Sequence, residues 1–136
     1  MASLITNLTT SQVAALSTST LSRLTSDDWA AFTTEQFQAL TTAQFASLNT
    51  SAVSLFTTAN IAAIQSDDLR ALSTAAIRIM TSEDLGALNS VQIGNLSTDQ
   101  IKALSSAQIR SLGSDDLNAL TSTQIAQLSS AQIAAI

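Results

Sequence analysis

One feature governs what this chain can fold into. From Leu8 to Ile136 a large apolar residue recurs at alternating steps of five and three, with no insertion or deletion. The octads "LSTDQIKA" from Leu96 and "LSSAQIRS" from Leu104 show the pattern. Position one runs Leu8, Leu16, Leu24, Phe32 and onward to Leu128 and Ile136. Position six runs Val13, Leu21, Trp29, Phe37 and onward to Ile125 and Ile133. Position three is Ser or Thr in all sixteen octads, and position five is Gln, Asp or Asn in thirteen. Position eight is usually Ala. A period held this strictly means one structural unit written repeatedly.

The odd steps decide between architectures. In a strand, residues an odd number apart face opposite sides. A β-solenoid, the alternative architecture, therefore needs a break in every octad. The chain has only Gly86, Gly94 and Gly113 and no Pro to supply one. Ala and Gln are also poor strand residues. A continuous helix fares no better. Two apolar residues per octad is about 4 per turn against about 3.6, so the stripe drifts by about 80° per octad.

A chain of very short helices fits. With position two as N-cap, position five is N3, where Gln completes a capping box. Position one is then N′ and position six N4, the hydrophobic staple pair. Position three, with its unvarying hydroxyl, competes for the cap. Position two nevertheless admits Asn49, Asn89 and Gly113, a cap-like set. A helix of about five or six residues cannot stand alone. Its neighbours must hold it, so the octads stack. The expected fold is an all-α solenoid with one very short helix per 8-residue repeat. Residues 1–7 form a partial N-terminal unit, and residues 8–136 form sixteen tandem octads in one domain.

Charge patterning suggests the coil size. Arg70 and Arg78 recur 32 residues on as Lys102 and Arg110, Asp67 recurs as Asp99, and Glu83 as Asp115. Four octads per coil would stack these, although Asp27 breaks the pattern. Two octads per coil is the runner-up.

The octad resembles the tandem "ALTTAQ"-type octapeptide arrays of large bacterial proteins, over residues 8–136. That resemblance implies a repeat architecture and no particular activity. The octad is also similar to the L-T-x-x-Q-V/I-x-A-I/L opening of the first helix in TAL-effector repeats, where Thr caps the helix. Only that half-repeat matches. The second helix and the base-reading loop have no counterpart, so DNA reading does not carry over.

Composition narrows the function classes. There is no His and no Cys, and a single Lys, Lys102. Nucleophilic catalysis lacks a base, and thiolate metal sites and disulfides are excluded. No catalytic, cofactor-binding or metal-binding residue is expected, no cofactor is implied, and the chain is read as not an enzyme. The net charge of −5 disfavours nucleic acid and anionic membrane as partners. No apolar run reaches the roughly 18 residues of a membrane span, and the opening "MASLITNLTT" lacks a signal-peptide pattern. Localisation stays open.

Three groups invite a functional reading. The acidic pairs Asp27–Asp28, Asp67–Asp68, Glu83–Asp84 and Asp115–Asp116 suit helix first turns better than a cation site. Arg70, Arg78, Lys102 and Arg110 all hold position seven, as a basic stripe or as solvated charges with Asp67–Arg70 and Asp99–Lys102 as helix pairs. Trp29, Phe32, Phe37, Phe45 and Phe56 read as core. A structural repeat module is therefore expected, a rigid spacer or protein-interaction scaffold. The alternative is a binding module using one coil face for a peptide or other ligand. Ice binding is a remote third, because position three keeps its hydroxyl but not its methyl. The chain starts mid-octad and stops at Ile136, the first residue of a seventeenth unit, so either a fragment of a longer array or head-to-tail self-association through uncapped ends is expected.

Overall fold

The computed structural model describes residues 3–136; the first two residues of the partial unit 1–7 lie outside the described residues. Among the described residues there are sixteen helices and no strand. They are α1 (Thr10–Ala14), α2 (Thr18–Leu21), α3 (Ser26–Ala31), α4 (Thr34–Gln38), α5 (Thr42–Ser47), α6 (Thr50–Val53), α7 (Thr58–Ala63) and α8 (Ser66–Ala71). There follow α9 (Thr74–Ile79), α10 (Ser82–Gly86), α11 (Ser90–Gly94), α12 (Thr98–Ala103), α13 (Ser106–Ser111), α14 (Ser114–Ala119), α15 (Ser122–Ala126) and α16 (Ser130–Ile133).

Every helix starts at the same place in its octad. The N-cap is always position two, from Thr9 to Ser129. In α12 the Ser97 hydroxyl accepts from the Gln100 amide at 3.2 Å, and the Gln100 carboxamide oxygen accepts from the Ser97 amide at 2.9 Å. The Ile101 amide then donates to the Ser97 carbonyl, and the Leu104 amide to the Ile101 carbonyl. One turn of helix is all that eight residues allow.

The corner needs no glycine. In α12 the closing Leu104 has φ −65°, ψ 134°, and the next N-cap, Ser105, has φ −75°, ψ 162°. Both are ordinary extended conformations, open to any residue. Among the described residues none has a positive φ. Two consecutive extended residues swing the chain out of one helix and into the next. That is why so few Gly and no Pro suffice.

The coils contain three octads, not four. α1 packs on α4, α4 on α7, α7 on α10, α10 on α13 and α13 on α16. A second series runs α5, α8, α11, α14, and a third runs α6, α9, α12, α15. From α4 onward each helix therefore meets a helix 24 residues away. Sixteen helices make five coils and begin a sixth. The 32-residue recurrence of charges misleads because those side chains lie on the outer surface, where stacking does not constrain them. Two octads per coil fails as well. The physical reason for three is space. Each octad sends two large side chains inward, and enclosed area grows faster with the number of sides than the side-chain count does. Leu, Ile and Phe fill a three-sided coil; a four-sided one leaves voids that close packing does not tolerate.

Positions one and six are that filling. Trp29, Leu69, Ile77, Leu85, Ile93 and Ile101 at position six are fully buried, and Leu40, Leu72, Leu88 and Leu104 at position one nearly so. Ala at position eight permits close stacking, and Gly94 at position seven does so more sharply. A Cβ there would lie 3.0 Å from the Ala119 carbonyl oxygen of α14.

Two predictions follow from this construction. Replacing Ile93, fully buried, by Asp costs at least ~3 kcal/mol, whereas Gln38→Ala, on the outer surface, stays within about 0.5 kcal/mol; denaturant midpoints measure both. Gly113 caps α14 without a side chain and at φ −74°, so Gly113→Ser adds a hydroxyl cap worth a few tenths of a kcal/mol over Gly and restricts the unfolded chain, for a total gain of roughly 0.5–1 kcal/mol. A lowered thermal midpoint would refute that account of the corner.

Candidate functional site

Position five is the one polar position that turns inward. Gln36, Gln44, Gln92, Gln100, Gln108, Gln124 and Gln132 are all buried. Each carboxamide oxygen closes the capping box of its own helix. Each carboxamide nitrogen reaches the coil below. Gln100 Nε2 donates to the carbonyls of Leu69 at 2.8 Å and Leu72 at 2.9 Å. Gln108 does the same to Ile77 and Met80, and Gln132 to Ile101 and Leu104. The Leu72, Met80 and Leu104 carbonyls lie at helix ends, which leave such groups orphaned; the Leu69, Ile77 and Ile101 carbonyls already accept the amide three residues on, and take the carboxamide as a second donor. The side chain thus satisfies one helix start and one helix end at once.

This second role was not expected from the sequence. The signal was present: position five never holds Glu, although Glu closes a capping box as well as Gln. Only the amide carries the extra donor.

The acidic pairs diverge. Asp27, Asp67, Glu83 and Asp115 face solvent, while Asp28 and Asp68 at position five are buried. Asp28 accepts from the Thr25 amide at 3.0 Å and from the Ser3 hydroxyl at 2.8 Å. The Thr25 amide first, then the Ser3 hydroxyl, hold its carboxyl below the ordinary carboxylate value. Asp68 differs. Its N-cap, Gln65, offers no side-chain cap, and its carboxylate accepts from the Thr42 hydroxyl of α5 at 2.9 Å. Burial pushes its carboxyl up, partly opposed by that hydroxyl bond and aided by the neighbouring Asp67 charge. Asp116 likewise follows a capless Gly113 and accepts from Ser90 of α11 at 3.2 Å. Among the described residues no three His, Cys, Asp or Glu side chains gather as a metal ion requires.

The basic residues do not form one stripe. Arg78 on α9 and Lys102 on α12 share a face, whereas Arg70 on α8 and Arg110 on α13 belong to the other two series. The position-three hydroxyls do line up. Along the series from α1 to α16 they read Thr10, Thr34, Thr58, Ser82, Ser106 and Ser130. The methyl disappears halfway, as a capping region tolerates. The aromatic residues are core: Trp29 stands 5.3 Å from Phe32 and 4.7 Å from Phe56, ring centre to ring centre. An open groove of about 590 Å³ runs between coils, bordered by Gln38, Gln65, Asp67, Asn89 and Val91. No described helix is long and apolar enough to cross a membrane.

Asp68 supplies a test of the interior. Its raised carboxyl means that the folded state prefers the protonated form. Stability from this group therefore falls as pH rises from the ordinary carboxylate value through the folded one. Asp68→Asn removes that fall and raises the denaturant midpoint at pH 7. Superimposable stability–pH curves for the two proteins would contradict it.

The comparisons with known proteins bear on the repeat itself. A model of the ALTTAQ repeat matches residues 5–42, 61–98, 80–114, 94–130 and 109–136. No curated protein and no solved structure matches the chain. With most of its length matched, the chain belongs to the ALTTAQ repeat family.

Proposed function

We propose that the chain is a non-catalytic structural module, a rigid solenoid that serves as a spacer or as a scaffold for protein contacts. The observation that carries this reading is the contact pattern. From α4 to α16, helices three apart along the chain pack on one another. A fold of that kind grows along one axis without changing its cross-section. The letters that vary most, at positions four and seven, lie on the outside and take no part in the ladder. The interior letters are spent on caps, corners and core.

A second reading rests on a different observation. On this 136-residue chain Ile125, Ile133 and Ile136 are exposed, and Leu117 and Leu128 are half-buried. They occupy the positions that are buried within the inner coils. A second copy, stacked head to tail, offers the complementary side: Leu8 and Leu16, half-buried, and Gln12, which is exposed and, among the described residues, donates its carboxamide to no other coil. Such a contact is heterologous and does not close on itself.

Small-angle scattering tests the first reading. Stacked helices lie about 8–10 Å apart, so five coils span roughly 50 Å. A tandem fusion of two copies doubles the longest dimension and leaves the cross-sectional radius unchanged; a thicker, shorter particle would refute the spacer. Sedimentation over a concentration series tests the second. Mass rises with concentration, and Ile125→Asp with Ile133→Asp suppresses the rise. A concentration-independent monomer would exclude stacking.

A further inference from the structure

The ladder is interrupted, and the interruption spans one whole coil interface. Position five holds Ala52, Asn60, Asp68, Ala76 and Asp84 in five successive octads. Take the plane between helices α4, α5, α6 and helices α7, α8, α9. The position-five residues that face it are Asn60, Asp68 and Ala76. Asn60 closes its own cap, accepting from the Thr57 amide at 2.9 Å, but its side chain is one carbon too short for the span that Gln bridges. Asp68 has no donor when ionised. Ala76 has no polar group. The planes on either side each carry two ladder glutamines, Gln36 and Gln44 below, Gln92 and Gln100 above.

What crosses the bare plane is different in kind. The Thr42 hydroxyl donates to Asp68 at 2.9 Å, and the exposed Gln38 carboxamide reaches the Ala63 carbonyl at 3.4 Å. The remainder is apolar. Phe56, entering α7, stands 4.7 Å from Trp29 and 5.4 Å from Phe37. Aromatic packing is strong but tolerates a range of offsets and tilts. A carboxamide between two carbonyls does not.

We propose that the plane between α4–α6 and α7–α9 is a built-in hinge, where the solenoid bends and where its coils part first. The chain is then two ladder-stapled blocks joined by a non-directional apolar seam. As a property of a spacer, this rests on the reading above. As a property of the seam, it has its own readout. Trp29 is the single tryptophan, and it touches the seam through Phe56.

The experiment follows guanidinium unfolding of the full chain by Trp29 fluorescence and by far-UV circular dichroism in the same samples. The fluorescence midpoint falls below the dichroism midpoint. Native-state amide exchange is roughly tenfold or more slower in α10–α13 than in α4–α9, the difference of one to two hydrogen bonds. The triple variant Asn60→Gln, Asp68→Gln, Ala76→Gln supplies the missing donors and brings the two midpoints together. Coincident transitions in the unsubstituted chain, or uniform exchange protection, overturn the hinge. So does a folded triple variant whose midpoints stay apart. Should that variant not fold, the exchange profile of the unsubstituted chain decides alone. The scattering length of the tandem fusion does not depend on any of these outcomes, so a failed hinge and a failed spacer are told apart.

Discussion

The carboxamide at position five is what the solenoid depends on. A helix of one turn has almost no hydrogen bonds of its own. It leaves nearly as many orphan amides at its start and orphan carbonyls at its end as it satisfies. A side chain that only capped would mend one end. Gln, placed at N3, accepts with its oxygen from the N-cap amide and donates with its nitrogen to the carbonyls that close a helix in the coil below. The two halves of one planar group thus bind a coil to itself and to its neighbour. Because the group is buried, an unmade bond costs more than a made one gains. The register between coils is therefore fixed, not merely favoured.

The rest follows from how little room is left. With helix and corner confined to eight residues, the corner must be two extended residues, and the core must be two side chains per octad. Three octads close a coil because three pairs of Leu, Ile or Phe fill the space that they enclose. Hydroxyls stand at position two because the cap must be short enough to turn back on its own helix. Ala stands most often at position eight, where coils press together, and Gly94 makes the same close approach from position seven, against the Ala119 carbonyl. Few positions are left for charge, which accounts for a surface of Ser, Thr, Ala and Gln.

Much of this was legible in the sequence. The period, the parity argument against strands, the cap at position two and the core at positions one and six all concern contacts within an octad or between adjacent octads, and local spacing records those. The coil size was not legible in the same way. Surface charges such as Arg70 and Lys102 repeat without touching, so their 32-residue interval says nothing about stacking. The contact that does define the coil, a carboxamide on carbonyls 28 and 31 residues back, involves main-chain acceptors, which leave no letter behind. Its only trace is the absence of Glu from position five. Asp68 and Asp116 follow the same logic. An Asp behind a capless residue has no box to close, and in each case it turns to a hydroxyl on the neighbouring coil.

A solenoid also distributes its weaknesses differently from a globular domain. Where every coil touches only the next, stability is close to a sum over interfaces, and a poor interface is not rescued by a distant good one. The aromatic residues lie near the interruption in the ladder: Phe37 and Phe45 beneath the bare plane, Phe56 across it, Trp29 against Phe56. Large rings bury the most area per residue, so they restore the adhesion that three missing glutamines withdraw. They do not restore its direction. Exchanging directional for non-directional contacts keeps the array continuous while letting one joint move. In a repeat whose other interior letters are committed to folding, position five is the place where stiffness can be changed without changing the fold.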